Sequence, residues 1–367
     1  MKLRVLISVL AFISFPLWAA VPEKPPEAAI ASAHPLATAA GMEVLQEGGN
    51  AFDAAIAVSA ALAVVEPYSS GLGGGGYYLL HMTRGNHDVM VDGRETAPAA
   101  ASHDMYLDKS GDLRTSSVRR GALSAGIPGT PAALVDLSRY GRLSLAKDLA
   151  PAIALARDGF KVDKRFAAIT EETLDTLTRL CGKACPFLVD GHAPEAGTLL
   201  KQPELAATLQ TLAEKGAAGF YTGEVAKEMV DAVRAVGGIW SLDDLRDYKV
   251  VERAPLTGDY RGYHIVTAAP AASGGVVLLE TLNILSGYDL DKMDEASRAH
   301  YILEAWRRAY RDRNQYLGDP AFVKMPTTKL LSTDYAAKLR VGISADKATP
   351  SGTLPPVVQL KDGEGVD

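Results

Sequence analysis

The chain has 367 residues, 47% of them hydrophobic and 22% charged, which is enough apolar material for one large core or two ordinary ones. That balance excludes a disordered chain. A net charge of −6 and a pI near 5.7 leave no basic footprint, so a nucleic-acid partner is not expected.

The first element is a targeting segment: Lys2 and Arg4, an apolar run from Val5 to Phe15, then Pro16-Leu17-Trp18-Ala19-Ala20. The run is too short to span a bilayer, and Leu17 and Ala19 suit positions −3 and −1 of a signal-peptidase site. Residues 1–20 therefore read as a signal peptide cleaved after Ala19 or Ala20. The mature protein is expected to be periplasmic or secreted, with no stable membrane span.

His34 to Glu47 has helical spacing and ends at Gly48-Gly49. Ala51 to Val65 is nearly all Ala, Val, Ile and Leu, so a helix buried on most sides is predicted, stopped by Pro67. A glycine run follows, then Tyr77 to Met82 and Asp88 to Asp92, two short strands joined by a polar turn. Gly121 to Phe160 reads as a Pro/Gly turn and two helices. Helices are predicted over Pro203 to Lys215 and Gly223 to Val236, and Ser241 with Asp244 makes a capping box. Strands return at Val250 to Tyr260 and His264 to Ala268, before helices at Gly275 to Leu285 and Glu295 to Tyr316. Hairpins mixed with helix pairs argue for an α+β or layered fold, not a repeating βαβ unit. From Lys347 the chain gains Pro and Gly and loses periodicity, which predicts a flexible tail over 347–367.

Cys181 and Cys185 are the two cysteines, and in an exported chain such close neighbours predict a small structural disulfide loop. No metal site is expected, since the nearest further ligand is a lone His192. Gly71, Gly73 and Gly76 formally match a dinucleotide fingerprint. The order is inverted, however: a helix precedes the glycines and a strand follows, so no helix N-terminus faces a pyrophosphate. No cofactor is expected. Ser124 and Ser273 each sit in an A-x-S-x-G element. After Ser273 only His300 remains, with too little chain between for a hydrolase acid and base. The chain by itself offers no complete catalytic constellation.

The segments G-G-N-A-F-D-A-A-I-A-V, V-V-E-P, S-G-L-G-G-G-G and G-R-E-T-A-P resemble the N-terminal signature of the γ-glutamyltransferase (γ-glutamyl transpeptidase) family. The likeness continues through G-I-P-G-T-P-A-A-L, D-Y-R-G-Y, S-G-G-V-V-L-L-E-T-L-N-I-L and R-D-R-N-Q-Y-L-G-D-P, covering nearly all of the chain after residue 20. One departure is Tyr68-Ser69-Ser70 after Pro67, where relatives often carry Gln, Met and Thr.

The resemblance implies the N-terminal-nucleophile hydrolase fold, a four-layer αββα sandwich cut from one precursor. Residues 21–346 would be the large-subunit part of that domain, and the tail would end at the autocleavage point, Asp367. A small subunit would complete the heterodimer and bring the catalytic threonine at its own N-terminus. In such a pair this chain would hold no catalytic residue. Its contribution would be Arg94, whose paired donors match the α-carboxylate of a γ-glutamyl group. Without the resemblance, Arg94 reads as a strand-end arginine paired with Asp92 or Glu95. The implied reaction transfers or hydrolyses the γ-glutamyl group of glutathione and related donors, with water, amino acids or peptides as acceptors. A cephalosporin or glutaryl acylase of the same fold family, and a non-catalytic exported binding protein, stay open as alternatives.

Overall fold

The computed structural model describes residues 28–114, 118, 121–182 and 185–354; the expected signal peptide and the segment 355–367, with Asp367, lie outside the described residues. Helix α1 (Pro35–Gln46) begins where Pro35 fixes the first turn and the His34 ring accepts a bond from Leu36 N at 3.1 Å. Gly48 turns the chain with φ 96° into α2 (Ala51–Val65). A capping box starts α2: Asn50 Oδ1 accepts from Phe52 N at 2.8 Å, and Asp53 Oδ2 accepts from Asn50 N at 2.6 Å. Ile56, Ala57, Ala60, Ala61 and Val64 are fully buried, and small side chains let the neighbouring helix close in. A Cβ added to Gly41 of α1 would stand 2.7 Å from Val58.

Strands β1 (Gly76–Met82) and β2 (His87–Gly93) pair antiparallel, from Gly76 opposite Gly93 to Met82 opposite His87. Their turn uses Gly85 and Asn86, both at positive φ. Then come α3 (Thr130–Leu137), α4 (Leu145–Asp158), β3 (Phe160–Lys161), α5 (Lys164–Glu172) and α6 (Leu174–Cys181). These are followed by β4 (Leu199–Leu200), α7 (Pro203–Lys215), α8 (Ala218–Tyr221), α9 (Gly223–Ala235) and α10 (Leu242–Asp247). The last part holds β5 (Val251–Arg253), β6 (Leu256–Tyr260), β7 (Tyr263–Thr267), α11 (Gly274–Leu285), α12 (Glu295–Tyr316), α13 (Thr327–Leu330) and α14 (Thr333–Val341).

The class is α+β, as expected. Among the described residues β1, β2 and β5 form a three-stranded sheet in the order β1-β2-β5, and β3-β4 and β6-β7 are separate pairs. One large core joins α1 to α5 and α7 to α10 with the inner faces of β1 and β2; a smaller one joins α11, α12 and α14.

The strand expected over Val250 to Tyr260 is two strands in different sheets. Pro255 has no N–H to continue a ladder, so the chain leaves β2's edge at Arg253 and starts a new hairpin at Leu256. Helices α5, α6 and α14 are additions to the predicted set; α5 buries only Phe166 and Thr170, and α6 buries none of its residues. Cys181 and Cys185 are disulfide-bonded across a Cα–Cα distance of 5.1 Å. The start of the predicted tail is tied down, since Thr349 N donates to Glu304 Oε1 at 2.9 Å and Arg307 Nη2 donates to Ser351 Oγ at 3.1 Å. Among the described residues no helix is long and apolar enough to cross a membrane.

Candidate active site

The site grows from the C-terminus of α2. Glu66, buried under the end of that helix, accepts through its backbone oxygen from Ser69 N and Ser70 N, both at 2.9 Å, and turns the chain into the glycine run. The Tyr68 hydroxyl donates to Glu66 Oε1 at 3.3 Å; burial and the Glu66 charge push that phenol up to about 12. Gly74 O then accepts from Gly129 N at 2.8 Å and Thr130 N at 3.0 Å, stitching the run to the start of α3.

Close approach explains the glycines here. A Cβ on Gly75 would lie 2.5 Å from Gly93 O, and one on Gly129 would lie 2.0 Å from the same oxygen and 2.3 Å from Tyr248 Oη. Three backbones therefore meet at the end of β2 with no side chain between them. Gly76 is the first residue of β1, so the glycine run feeds a strand, and the dinucleotide reading fails structurally as well.

Arg94 follows directly. Its backbone is clamped on both sides: Arg94 N donates to Asp92 Oδ1 at 3.2 Å, and Tyr248 Oη donates to Arg94 O at 2.8 Å. Tyr248 is itself stacked on Tyr221, ring centroids 5.5 Å apart, and Tyr221 Oη donates to Pro128 O at 2.8 Å. Burial holds both phenols above their usual range, which keeps them protonated as donors.

The two suggested partners of Arg94 divide. Asp92 is taken by Arg253, whose Nε donates to Asp92 Oδ2 at 2.9 Å. Arg94 Nε meets Glu95 Oε2 at 3.2 Å with the side chain 55% exposed, and its guanidinium carbon sits 5.8 Å from the Tyr77 ring centre. Among the described residues neither Nη nitrogen has a hydrogen-bond partner, so two parallel donors are free for a carboxylate. Arg94 lines a cavity of about 750 Å³ whose walls also include Tyr68, Ser69, Gly73, Thr130 and Gln202. A second hollow of about 550 Å³ shares Gly73, Arg94 and Glu95, so the Arg94-Glu95 pair forms the wall between the two.

Ser124 and Ser273 serve as hydrogen-bonding side chains in turns. Ser124 Oγ donates to Gly121 O at 2.7 Å, and Ser273 Oγ accepts from Arg313 Nε at 2.9 Å. Four histidines make surface contacts: His81 with Asp88, His103 with Asp104, His264 with Asp259 and His300 with Ser344 O. Among the described residues no group of three His, Cys, Asp or Glu side chains could hold a metal ion. Sequence reasoning did not single out Tyr77, Tyr248 or Arg253; tyrosines and arginines in short strands and loops carry no signal that separates them from surface residues.

Fold and site define an α+β protein whose Arg94, its backbone held by Asp92 and Tyr248, lines a cavity of about 750 Å³. The chain belongs to the gamma-glutamyltranspeptidase family, whose family model matches residues 37–364. It is 42% identical over 338 residues to the glutathione hydrolase proenzyme of Pseudomonas sp. (strain A14), covering 91% of this chain and 59% of that protein. With the glutathione hydrolase proenzyme of Escherichia coli (strain K12) it shares 38% identity over 339 residues, covering 91% of this chain and 58% of that protein. The chain thus spans just under six tenths of the length of these curated relatives. Among solved structures, the Helicobacter pylori gamma-glutamyltranspeptidase superposes with a TM-score of 0.88 at 37% identity, covering 94% of this chain and 100% of that one. The Pseudomonas nitroreducens gamma-glutamyltranspeptidase, complexed with L-DON, does so with a TM-score of 0.85 at 32% identity, covering 92% and 100%.

Proposed function

We propose that the chain is the large subunit of an exported γ-glutamyl acyltransferase and hydrolase. Its substrate donors are glutathione and other γ-glutamyl compounds, and Arg94 grips their α-carboxylate. The observation that carries this reading is the pair of uncommitted Nη donors on a guanidinium whose backbone is clamped beside a cavity of about 750 Å³. The coverage figures support a two-chain enzyme: the chain matches the whole of the H. pylori chain but 59% of a proenzyme. In this reading residues 1–20 are removed on export, residues 21–346 form the large-subunit part of the αββα domain, and the tail 347–367 ends at the cleavage point, Asp367. A small subunit from the same precursor begins with threonine. The threonine hydroxyl attacks the γ-amide carbonyl, the amine leaves as an ester forms, and water or an amino acid resolves the ester. An acylase is the second reading, favoured by 37% identity to a protein named acylase ACY 1 proenzyme and by the likeness, TM-score 0.77 at 29% identity, to a cephalosporin acylase from Bacillus halodurans.

The test is to express the full precursor and weigh its products. The expected outcome is one chain ending at Asp367, a second beginning with Thr, and hydrolysis of a γ-glutamyl anilide in preference to a glutaryl-cephalosporin. An intact, unprocessed chain without γ-glutamyl hydrolysis defeats the proposal, and a reversed preference selects the acylase.

A further inference from the structure

Helix α12 is turned inside out along part of its length. Its buried positions include Glu304, Arg308 and Asp312, whereas Leu303, Trp306 and Tyr310 are 54%, 49% and 52% exposed. These three recur at i, i+3 and i+7, so they form one apolar stripe down the open face. The buried charges are satisfied where they stand: Arg308 Nη1 donates to Glu304 Oε2 at 2.6 Å, and Tyr335 Oη donates to Asp312 Oδ2 at 2.7 Å. The stripe, by contrast, leaves a leucine, a tryptophan and a tyrosine in one line facing water. A continuous apolar surface of this kind marks a place that another segment covers.

The chain itself leaves from beside that stripe. Arg307, the neighbour of Trp306 and one turn before Tyr310, donates through Nη2 to Ser351 Oγ at 3.1 Å and through Nη1 to Thr349 O. Thr349 N donates to Glu304 Oε1 at 2.9 Å, so 349–351 is fastened to α12 at the edge of the stripe. Beyond Leu354 the sequence reads Pro355-Pro356-Val357-Val358-Gln359-Leu360, outside the described residues. Its chemistry fits the surface. Consecutive prolines hold a chain extended and carry no N–H that must find a partner, and such segments dock on aromatic side chains. Val357, Val358 and Leu360 supply apolar area for a stripe that has no charge on it. The lengths agree as well: the stripe rises about 10 Å along the helix, and six extended residues cover about 16 Å.

We propose that residues 355–360 lie extended along the Leu303-Trp306-Tyr310 stripe and latch the C-terminal segment to α12. Residues 361–367 then remain as the free end, whose reach from the latch is at most about 25 Å. The position of that end is set by the helix and not by the wandering of a longer tether. Because the latch uses only residues of this chain, it stands or falls independently of the acyl-transfer reading.

The experiment reads Trp306 in the protein as expressed, with any companion chain in place. The difference between wild type and Trp306→Phe isolates the emission of Trp306 from that of buried Trp240 and of any other tryptophan. Phenylalanine keeps a ring at this half-exposed position, so the blank retains the fold. One variant combines Val357→Ser, Val358→Ser and Leu360→Ser, which removes apolar side chains without touching the Thr349 and Ser351 anchors. It is expected to move Trp306 emission to longer wavelength and to raise its quenching by acrylamide about twofold or more, as a ring returned to water would show. Pro355→Ser with Pro356→Ser is expected to act in the same direction. Equal and strong quenching in wild type and both variants would show a bare stripe and overturn the proposal. Equal and weak quenching would show that a companion chain or a second copy covers the stripe, which overturns it as well.

Discussion

Replacing Arg94 by lysine separates the shape of the guanidinium from its charge. The side chain is 55% exposed and only its Nε is engaged, by Glu95 at 3.2 Å, so that ion pair contributes at most about 1 kcal/mol to folding. Stability should therefore hardly change, and the loss should fall on substrate. A charge-assisted hydrogen bond contributes roughly 1.5–3 kcal/mol, equivalent to a rise of roughly 10- to 150-fold in donor KM. Lysine keeps a single donor point and is expected near the lower figure, alanine near the upper. The nucleophile lies outside this chain in the proposed enzyme, so kcat is expected to change by less than about threefold. The assay is initial-rate hydrolysis of a γ-glutamyl anilide by the processed enzyme, repeated with a donor that lacks the α-carboxylate. Only the carboxylate-bearing donor should respond. A donor KM within about twofold of wild type for Arg94→Ala, in a folded and processed protein, refutes the assignment.

Asp148 on α4 is fully buried against Asp53 of α2, and its carboxyl is pushed up to about 7 by burial and then by the Asp53 charge. The folded state keeps this proton where the unfolded chain, at about 3.9, has lost it, so the contribution is full at low pH and lost as pH rises through about 7. Asp148→Asn, which keeps a donor toward Asp53, is expected to flatten the fall of unfolding midpoint between about pH 4 and 7; parallel profiles for variant and wild type would contradict this. Glu304 behaves oppositely: burial would raise it, but bonds from Thr349 and Arg308 outweigh burial and hold it at about 2. Its contribution is present above the unfolded value of about 4.3 and lost as pH falls toward 2. Glu304→Gln is expected to free the segment around Thr349, read as faster amide exchange over 342–354, and unchanged exchange would show that other contacts hold it. Gly129→Ala places a methyl 2.0 Å from Gly93 O and is expected to cost about 1–3 kcal/mol and to raise donor KM by displacing Arg94. A variant equal to wild type in both would mean that the three backbones at the end of β2 can part freely.

Periodicity exposed the helices that bury a continuous face, α1, α2, α7 and α11, because their apolar residues recur at helical spacing over three turns or more. It missed α5, α6 and α14, which bury two, none and one of their residues respectively. The split at Pro255 was visible as a residue type, yet the change of sheet depends on what lies beside β2, which local pattern does not encode. For the site, R-E-x-A-P pointed to Arg94 only through a family resemblance. The reason for its position is non-local: Tyr248 reaches back over 154 residues to hold its carbonyl, and Gly129 admits β2 by having no side chain.

The buried acids follow one physical rule at two helix junctions. Asp148 and Glu280 each leave both carboxyl oxygens without a donor, which would be costly for two buried carboxylates. Each lies against a second acid whose acceptors are already served: Asp53 by Arg142 N and Leu143 N at 2.9 and 3.1 Å, and Asp312 by Arg311 Nε and Tyr335 Oη, both at 2.7 Å. A retained proton resolves both cases, since a neutral carboxyl can donate to its charged neighbour; burial and then Asp312 hold Glu280 well above the usual carboxyl range. The second junction has a further consequence. Glu280 belongs to α11 and Asp312 to α12, and the next residue, Arg313, reaches back to Ser273 at the entry of α11. The contact of Glu280 with Asp312 and the bond from Arg313 to Ser273 therefore join α11 to α12 through two consecutive residues of α12.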